Sequence, residues 1–368
     1  MASFDITPIL KLMIEKGGSD LFFSTGAAVH INIEGETIPV NNQVLVPGMI
    51  KEVAYSLMSE VQIKEFEETM ECNFALSKKN IGRYRVNVFR QRGEVGMVIR
   101  HIKTEIPDFA SLGLPSSLHE IVLRKRGLVL VVGATDSGKS TTLASMIDHR
   151  NSNSSGHIIT IEDPIEYMYH HKKSVVDQRE VGIDTLSFDS ALKNAMRQAP
   201  NVILIGEVRD KEGMEQALAY AETGHLCLAT LHANNANQAL ERIISFFPPE
   251  SRHSLLLGLS LNLVGVISQR LIPGKLKKRV AAVEVLMNTP YVSELIQKQN
   301  FADMKDTMAD SNDIGMNTFD QALYALYENG QISEENALMH ADSRNDLSLK
   351  IRFKNEGERE SGGDGFGS

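Results

Sequence analysis

Hydrophobic and polar positions in the first hundred residues follow both helical and strand periods. Residues 5–16 carry apolar side chains at helical spacing, and two glycines follow them. Residues 47–70 have the pattern of two amphipathic helices. Short apolar or alternating segments between turn residues predict strands at 21–24, 30–33, 36–40, 84–89 and 96–100. Together these elements predict a small α+β domain.

After residue 118 the pattern changes to strands that alternate with helices. Apolar segments predict strands at 128–132, 158–161, 202–205, 226–230 and 280–286. This alternation predicts an α/β fold with a mostly parallel sheet and a ligand site beyond the strand ends. The uncharged stretch 254–269 contains polar residues and is too short to span a bilayer, so we expect a core helix there.

Changes in composition predict the domain boundaries. The segment 104–117 is rich in proline and glycine and indicates a linker between an N-terminal domain, 1–103, and a larger domain, 118–345. The tail, 346–368, ends in a stretch with few apolar residues, so we expect it to be largely disordered.

Composition excludes several classes of function. The net charge of −9 argues against nucleic acid as a partner. Two cysteines in 368 residues provide neither a disulfide framework nor a four-cysteine zinc site, so we expect no zinc and a reducing, cytoplasmic compartment. The N-terminus lacks the pattern of a signal peptide.

The stretch 128–147 holds the most specific chemical signal. An apolar strand, a G-x-x-x-x-G-K-[ST] loop and an apolar helix follow one another, which is the context of a phosphate-binding P-loop. Lys139 supplies a positive charge, and the Ser140 hydroxyl can bind Mg²⁺. The predicted nucleotide-binding residues are Gly133, Ala134, Thr135, Asp136, Ser137, Gly138, Lys139, Ser140 and Thr141.

Acidic and histidine residues follow three other predicted strands. Glu207 comes after the apolar strand 202–205, the arrangement of a Walker B motif, and is well placed to act as base or to orient water. The acidic segment 162–166 can hold Mg²⁺ or the attacking water, with a capped turn as the alternative. His225 and His232 flank the strand 226–230. They could sense the γ-phosphate, although single histidines are more often structural.

Four motifs together resemble the bacterial secretion and type IV pilus ATPases, and within them the PilT/PilU retraction branch. These motifs are GATDSGKST, TIEDPIEY, ILIGEVRD and AETGHLCLATLHANNA. The resemblance implies a PAS-like N-terminal domain and a RecA-like C-terminal domain. It also implies ATP and Mg²⁺ as ligands, and a cytoplasmic hexameric ring at the cytoplasmic face of the bacterial inner membrane. It assigns Glu166 to the metal or water shell, Glu207 to the water and His232 to the His box.

The resemblance also implies arginines that act across subunits. Lys139 by itself faces Asp136, Glu166 and Glu207, so we expect further positive charge to come from a neighbouring subunit. The matching positions are Arg85 and Arg100, on two adjacent predicted strands. A pair of solvated strand arginines is the alternative interpretation.

Three departures separate the chain from PilT-type motors. Asp136 replaces a usual glycine; its carboxylate either repels phosphate or points away and caps the following helix. The helix 291–298 and the tail segment 340–347 differ from the PilT pattern and resemble PilU-type accessory retraction ATPases.

We therefore predict an ATPase that drives type IV pilus retraction and twitching motility. Its predicted partners are other copies of this chain, a PilT-type ATPase and the inner-membrane pilus platform protein. A secretion motor is disfavoured because such motors usually carry a four-cysteine zinc insert. A nucleotide-gated coupling ring with little turnover of its own is the alternative.

Overall fold

The computed structural model describes residues 5–33, 35–79, 81–276 and 278–361, with side chains described as far as residue 354. The chain divides into two compact units. The first comprises Met1–Glu105 together with two later segments, Pro164–Met168 and Glu180–Leu186. The second comprises the remaining residues. The return of two later segments to the first unit was not predicted from the sequence.

The first unit is built on a six-stranded antiparallel sheet in the order β3-β2-β1-β6-β5-β4. The strands are β1 (Asp20–Phe23), β2 (His30–Ile33), β3 (Glu36–Pro39), β4 (Glu71–Lys78), β5 (Gly82–Gln91) and β6 (Glu94–Ile102). The helices are α1 (Thr7–Glu15), α2 (Met49–Leu57) and α3 (Glu60–Thr69). Their apolar faces, with Phe66 and Tyr84 fully buried, form one core with the sheet. The predicted elements are confirmed, and β4 is an additional strand.

The second unit alternates strands and helices. Its strands are β7 (Gly127–Val132), β8 (Gly156–Glu162), β9 (Ser174–Glu180), β10 (Val202–Ile205), β11 (Leu226–Leu231), β12 (Leu263–Pro273) and β13 (Arg279–Met287). Its helices are α4 (Phe109–Leu112), α5 (Ser117–Leu123), α6 (Lys139–Asn153), α7 (Phe188–Ala195), α8 (Lys211–Glu222), α9 (Ala236–Ser245), α10 (Arg252–Asn262), α11 (Pro290–Gln297), α12 (Met304–Ala309), α13 (Phe319–Glu328), α14 (Glu334–His340) and α15 (Arg344–Ser361). Three short 3₁₀ turns lie at Met196–Gln198, Pro249–Ser251 and Asn312–Ile314.

The seven strands form one sheet in the order β13-β12-β7-β11-β10-β8-β9. β8, β10, β11, β7 and β12 pair in parallel, and β13 pairs antiparallel with β12. Every residue of β7, β10 and β11 is buried, as expected of strands covered by helices on both faces. The predicted mostly parallel sheet is therefore confirmed.

The predicted core helix at 254–269 is wrong in its second half. Helix α10 ends at Asn262, and Leu263 begins strand β12, which lies between β7 and β13. A Cβ on Gly265 would lie 2.5 Å from the carbonyl oxygen of Leu286, so this close strand approach requires glycine. Periodicity did not reveal the change because apolar residues continue from α10 into β12 with no charged position to mark a helical or a strand period.

Two segments predicted to be irregular contain helices. Asp108 caps α4 inside the predicted linker, and Phe109 is buried. Helix α15 covers residues 346–361 of the tail that was expected to be largely disordered, and Leu347 and Ile351 pack into an apolar cluster. Residues 362–368, also part of that expectation, lie outside the described residues. Among the helices described, none is long and apolar enough to cross a membrane.

Candidate functional site

Four of the predicted motifs meet at one edge of the seven-stranded sheet. β7, β11, β10 and β8 are consecutive parallel neighbours, with Val132 beside Leu231 and Ile205 beside both Ala229 and Ile161. The P-loop, His232, Glu207 and Asp163 therefore leave the sheet from the carboxyl ends of adjacent strands. Ligands of open α/β sheets bind at this edge.

The P-loop backbone needs glycine at two positions. Gly138 has φ +84° and lies at the N-cap of α6. A Cβ there would lie 2.7 Å from Nε2 of Gln269. A Cβ on Gly133 would lie 2.6 Å from the backbone oxygen of Gln269. The loop is thus packed closely against β12, and the hydroxyl of Thr142 donates to Oε1 of Gln269 at 2.6 Å.

The donor groups of this loop fit a nucleotide phosphate. Backbone N–H groups at the N-terminus of α6 carry a partial positive charge. The Lys139 ammonium donates to the carbonyl oxygens of Gly133 and Ala134, at 2.8 and 2.7 Å, so it stays beside the loop. In the part of the chain that the structure describes, the Ser137 hydroxyl is buried without a hydrogen-bond partner. Ser140 lies in the first turn of α6, where its hydroxyl fits Mg²⁺.

Asp136 forms an ion pair that the sequence did not reveal. Nη1 of Arg279 lies 2.5 Å from Oδ2 of Asp136, and Nη2 lies 3.3 Å from Oδ1. This hydrogen bond holds the pKa of Asp136 below its usual value. The N-cap of α6 is Gly138, and no side chain caps this helix. Asp136 therefore does not cap α6, which was one of the two predicted roles of its carboxylate. Asp136 has φ +61°, in agreement with the prediction that aspartate tolerates a left-handed backbone.

Glu207 is held between two cationic or polar side chains. Nε of Arg209 donates to its Oε2 at 2.7 Å, and Nε2 of His232 lies 3.2 Å from its Oε1. The Glu207 carboxylate is 22% exposed. The hydrogen bond to Glu207 raises the pKa of Arg209. Arg209 is part of the motif ILIGEVRD but was not predicted as a site residue. The direction of its side chain depends on the folded turn after β10, which the sequence does not reveal.

Two cavities border the P-loop. A cavity of about 480 Å³ is lined by Ala134, by His232 and Asn234, and by side chains of α9. A second cavity, of about 600 Å³, is lined by Gly138, Thr141, Leu271 and Arg279 among others. The structure thus brings the P-loop and His232 to one cavity. His225, at the other end of β11, lies instead 3.0 Å from the Thr223 hydroxyl and 3.2 Å from the Tyr220 carbonyl.

Three of the predicted site residues belong to the first unit. Glu166 lies in its segment Pro164–Met168; its side chain is exposed, and its carbonyl accepts a hydrogen bond from Lys103. Arg85 and Arg100 are paired directly across β5 and β6. The roles predicted for these three residues stay predictions. Within the described residues, no cluster of three or more histidine, cysteine or acidic side chains is arranged to hold a metal by itself.

The two arginines have different surroundings. Arg100 is exposed, and its Nε donates to Oδ1 of Asp20 at 2.7 Å. Nε of Arg85 lies 3.6 Å from Oε1 of Glu180, which is completely buried. Burial raises the pKa of Glu180, and the charge of Arg85 opposes that rise. Arg85 is therefore the counter-ion of a buried carboxylate, whereas Arg100 presents its guanidinium to solvent.

The model of the family described as Type II/IV secretion system protein matches residues 4–317. The chain belongs to this family. It is 54% identical over 351 residues to the type IV pilus ATPase PilU of Pseudomonas aeruginosa, which covers 95% of this chain and 92% of that protein. It is 40% identical over 333 residues to the pilus retraction ATPase PilT of the same organism, which covers 90% of this chain and 97% of PilT.

A solved structure of this family has the same fold. The crystal structure of the pilus retraction motor PilT with bound ADP matches with a TM-score of 0.88 and 43% identity, over 94% of this chain and 99% of that one. This likeness confirms the predicted RecA-like fold, and the relatives confirm the predicted PilT/PilU branch of pilus ATPases. The roles predicted for the individual site residues stay predictions.

Proposed function

We propose that this chain is a Mg²⁺-dependent ATPase that powers type IV pilus retraction. One observation carries the proposal: Glu207, fixed by Arg209 and His232, leaves the same sheet edge as the P-loop. A carboxylate at this place is suited to orient a water or to accept its proton. The retraction role rests on the likeness to PilT and PilU.

The chemistry is direct attack of water on the γ-phosphate, which gives ADP and phosphate without a covalent intermediate. The P-loop N–H groups and Lys139 bind the phosphates. Ser140 would hold Mg²⁺, whose charge offsets that of the phosphates. Glu207 takes up the proton of the water. Arg209 and His232 keep the carboxylate in place for this step.

The active form in this proposal is a ring, with six copies as in the family resemblance. Arg100 extends to the nucleotide of the adjacent subunit, because its guanidinium stays exposed while its Nε pairs with Asp20, its partner across β1 and β6. Arg85 supports the same surface by neutralising Glu180. An arginine supplied across a subunit boundary stabilises the charge that develops during phosphoryl transfer.

The ring works beside a PilT-type motor on the pilus platform protein, at the cytoplasmic face of the inner membrane. The likeness to the type IV pilus ATPase PilU, at 54% identity, supports a role in the pilus machinery, and the accessory part of the proposal follows the resemblance of 291–298 and 340–347 to PilU-type ATPases. A coupling ring with little turnover of its own is the second candidate. Asp136 favours it to the extent that its ion pair with Arg279 leaves its charge uncancelled, since an acid in the phosphate-binding loop weakens the attraction for nucleotide.

Steady-state ATPase activity tests the proposal and separates the two candidates. Turnover by the isolated ring that depends on Mg²⁺ and disappears in Lys139→Ala supports the motor. ATP binding without turnover, both alone and with the PilT-type partner added, supports the coupling ring. A chain that binds no ATP or ADP under any of these conditions contradicts both.

A further inference from the structure

Asp136 and Arg279 join two elements that are far apart in the sequence. Asp136 lies in the P-loop between β7 and α6, and Arg279 is the first residue of β13. The guanidinium contacts both carboxylate oxygens, at 2.5 and 3.3 Å, and Nη1 also lies 3.4 Å from the Asp136 backbone carbonyl. Arg279 also lines the 600 Å³ cavity beside Gly138 and Thr141. The pair therefore lies at the nucleotide site.

Fold stability does not account for this pair. The Asp136 side chain is 75% exposed and that of Arg279 is 53% exposed. Ion pairs with this much solvent contact contribute little to the stability of a fold. Asp136 also has a left-handed backbone conformation, which glycine would adopt with less conformational strain. Aspartate at this position is therefore not explained by the stability of the fold.

An unpaired acid would oppose nucleotide binding at this position. Asp136 lies three residues before Lys139, so their Cα atoms are at most roughly 11 Å apart. This distance is close to the Debye length of about 8 Å at physiological ionic strength, so its charge acts on bound phosphates with incomplete screening. A guanidinium bonded to the carboxylate cancels most of that field.

We propose that Arg279 is a positioning residue for the nucleotide, which neutralises Asp136 and fixes the P-loop in its phosphate-binding shape. The inference rests on the proposed function, since it assumes that the P-loop binds ATP or ADP. It adds a residue of β13 that none of the sequence motifs contains.

The two-point contact between the Arg279 guanidinium and the Asp136 carboxylate allows variants that separate the effect of charge from the effect of geometry. Arginine contacts both carboxylate oxygens and lies near the loop carbonyl, whereas lysine supplies a charge with a single nitrogen. Arg279→Lys therefore keeps the neutralisation and loses the fork. Arg279→Gln loses both. Asp136→Asn keeps the side-chain size and tolerates the left-handed backbone, and it removes the charge to be neutralised.

A double-mutant cycle on nucleotide affinity tests the proposal. The dissociation constants of ADP and ATP with Mg²⁺ are measured by calorimetry on the full chain for the wild type, Asp136→Asn, Arg279→Gln and the double variant. Lys278→Gln is the matched control, because Lys278 is an exposed neighbouring cation that lines the same cavity and has no described contact with Asp136. Thermal unfolding without nucleotide reports on folding.

We expect Arg279→Gln to weaken binding by about tenfold, the effect of one incompletely screened charge near the phosphates. In the Asp136→Asn background the same change should weaken binding less than threefold, and Arg279→Lys should lie between the wild type and Arg279→Gln. Equal losses in both backgrounds overturn the proposal, as does an equal loss in Lys278→Gln. If the wild-type chain binds no nucleotide, the proposed function itself is contradicted. This outcome differs from a failure of the Arg279 proposal, in which the wild type binds and the variants do not show the expected pattern.

Discussion

Nε2 of His232 lies 3.2 Å from Oε1 of Glu207, so a residue at the end of β11 contacts a residue that follows β10. The two strands are parallel neighbours, and the contact spans their carboxyl ends. Because His232 also lines the cavity beside Ala134, it connects the P-loop side of the site to the carboxylate. The contact leads to one prediction for the carboxylate that accepts the proton and one for the histidine beside it.

Glu207→Gln should bind ATP with nearly normal affinity and lose most of its turnover. The amide keeps the size of the side chain and cannot accept the proton of water, and loss of a general base costs roughly 10²- to 10⁴-fold in rate. Binding is measured by calorimetry and turnover by phosphate release. Glu212→Gln, on the exposed first turn of α8, is the control and should turn over normally. Wild-type turnover in Glu207→Gln would show that the assignment is wrong.

His232→Gln should lower kcat more than it changes ATP affinity. The variant disturbs the contact with Glu207, and the P-loop groups that bind the phosphates remain intact. We expect a loss of about tenfold in kcat, smaller than the loss of roughly 10²- to 10⁴-fold that follows removal of a general base itself. His225→Gln is the matched control, because it lies at the opposite end of the same strand. Equal effects of the two variants would contradict a role for His232 in the chemistry.

Mixed rings should test the arginine supplied across subunits. Lys139→Ala and Arg100→Ala chains are each expected to be inactive, since an arginine finger contributes roughly 10³- to 10⁵-fold in rate. Co-assembled chains should regain part of the phosphate release, because some interfaces then combine an intact P-loop with an intact arginine. Arg92→Ala, at the turn of the same β5–β6 hairpin, is the control and should be active by itself.

The mixing experiment uses Arg100 because Arg85→Ala would leave the buried Glu180 without its counter-ion. Such a loss destabilises a fold, and the result would then report on folding rather than on catalysis. Verified mixed rings that show no recovered activity would count against a site shared between subunits.

Glu284 should make the stability of the fold depend on pH. It is 2% exposed on β13, and its Oε1 accepts hydrogen bonds from the backbone N–H of Ala236, at 2.8 Å, and from Ser268, at 3.0 Å. Burial raises the pKa of Glu284 above the ordinary value near 4.5. The folded state therefore binds this proton more tightly than the unfolded state, and the contribution of Glu284 to stability decreases as pH rises through its folded pKa.

Glu284→Gln removes this charge and keeps an oxygen that can accept both hydrogen bonds. We expect the variant to gain stability relative to the wild type as pH rises above 4.5, the ordinary pKa of this carboxyl. Chemical denaturation at a series of pH values measures the difference. A difference that is constant across this range, or that decreases with rising pH, would contradict the assigned direction.

Local patterns were sufficient to predict most elements and the P-loop. The stretch 128–147 combines an apolar strand, a glycine turn and a helix that follow one another directly, so its structure depends on neighbours in the chain. The strand before Glu207 was predicted for the same reason. The pattern failed at 254–269, where leucines also occupy the exposed positions 257 and 261 of α10, so no polar face marks the helical period before β12 begins.

By itself, the sequence determined the phosphate-binding loop, the acid that follows β10 and the mostly parallel sheet, because each depends on short-range spacing and chain order. Only the tertiary structure decided which side chains meet. Arg279 reaches Asp136 across 143 residues, and Gln269 reaches Thr142 across 127. Such pairs depend on the lateral order of strands in the sheet, and no local period or propensity encodes that order.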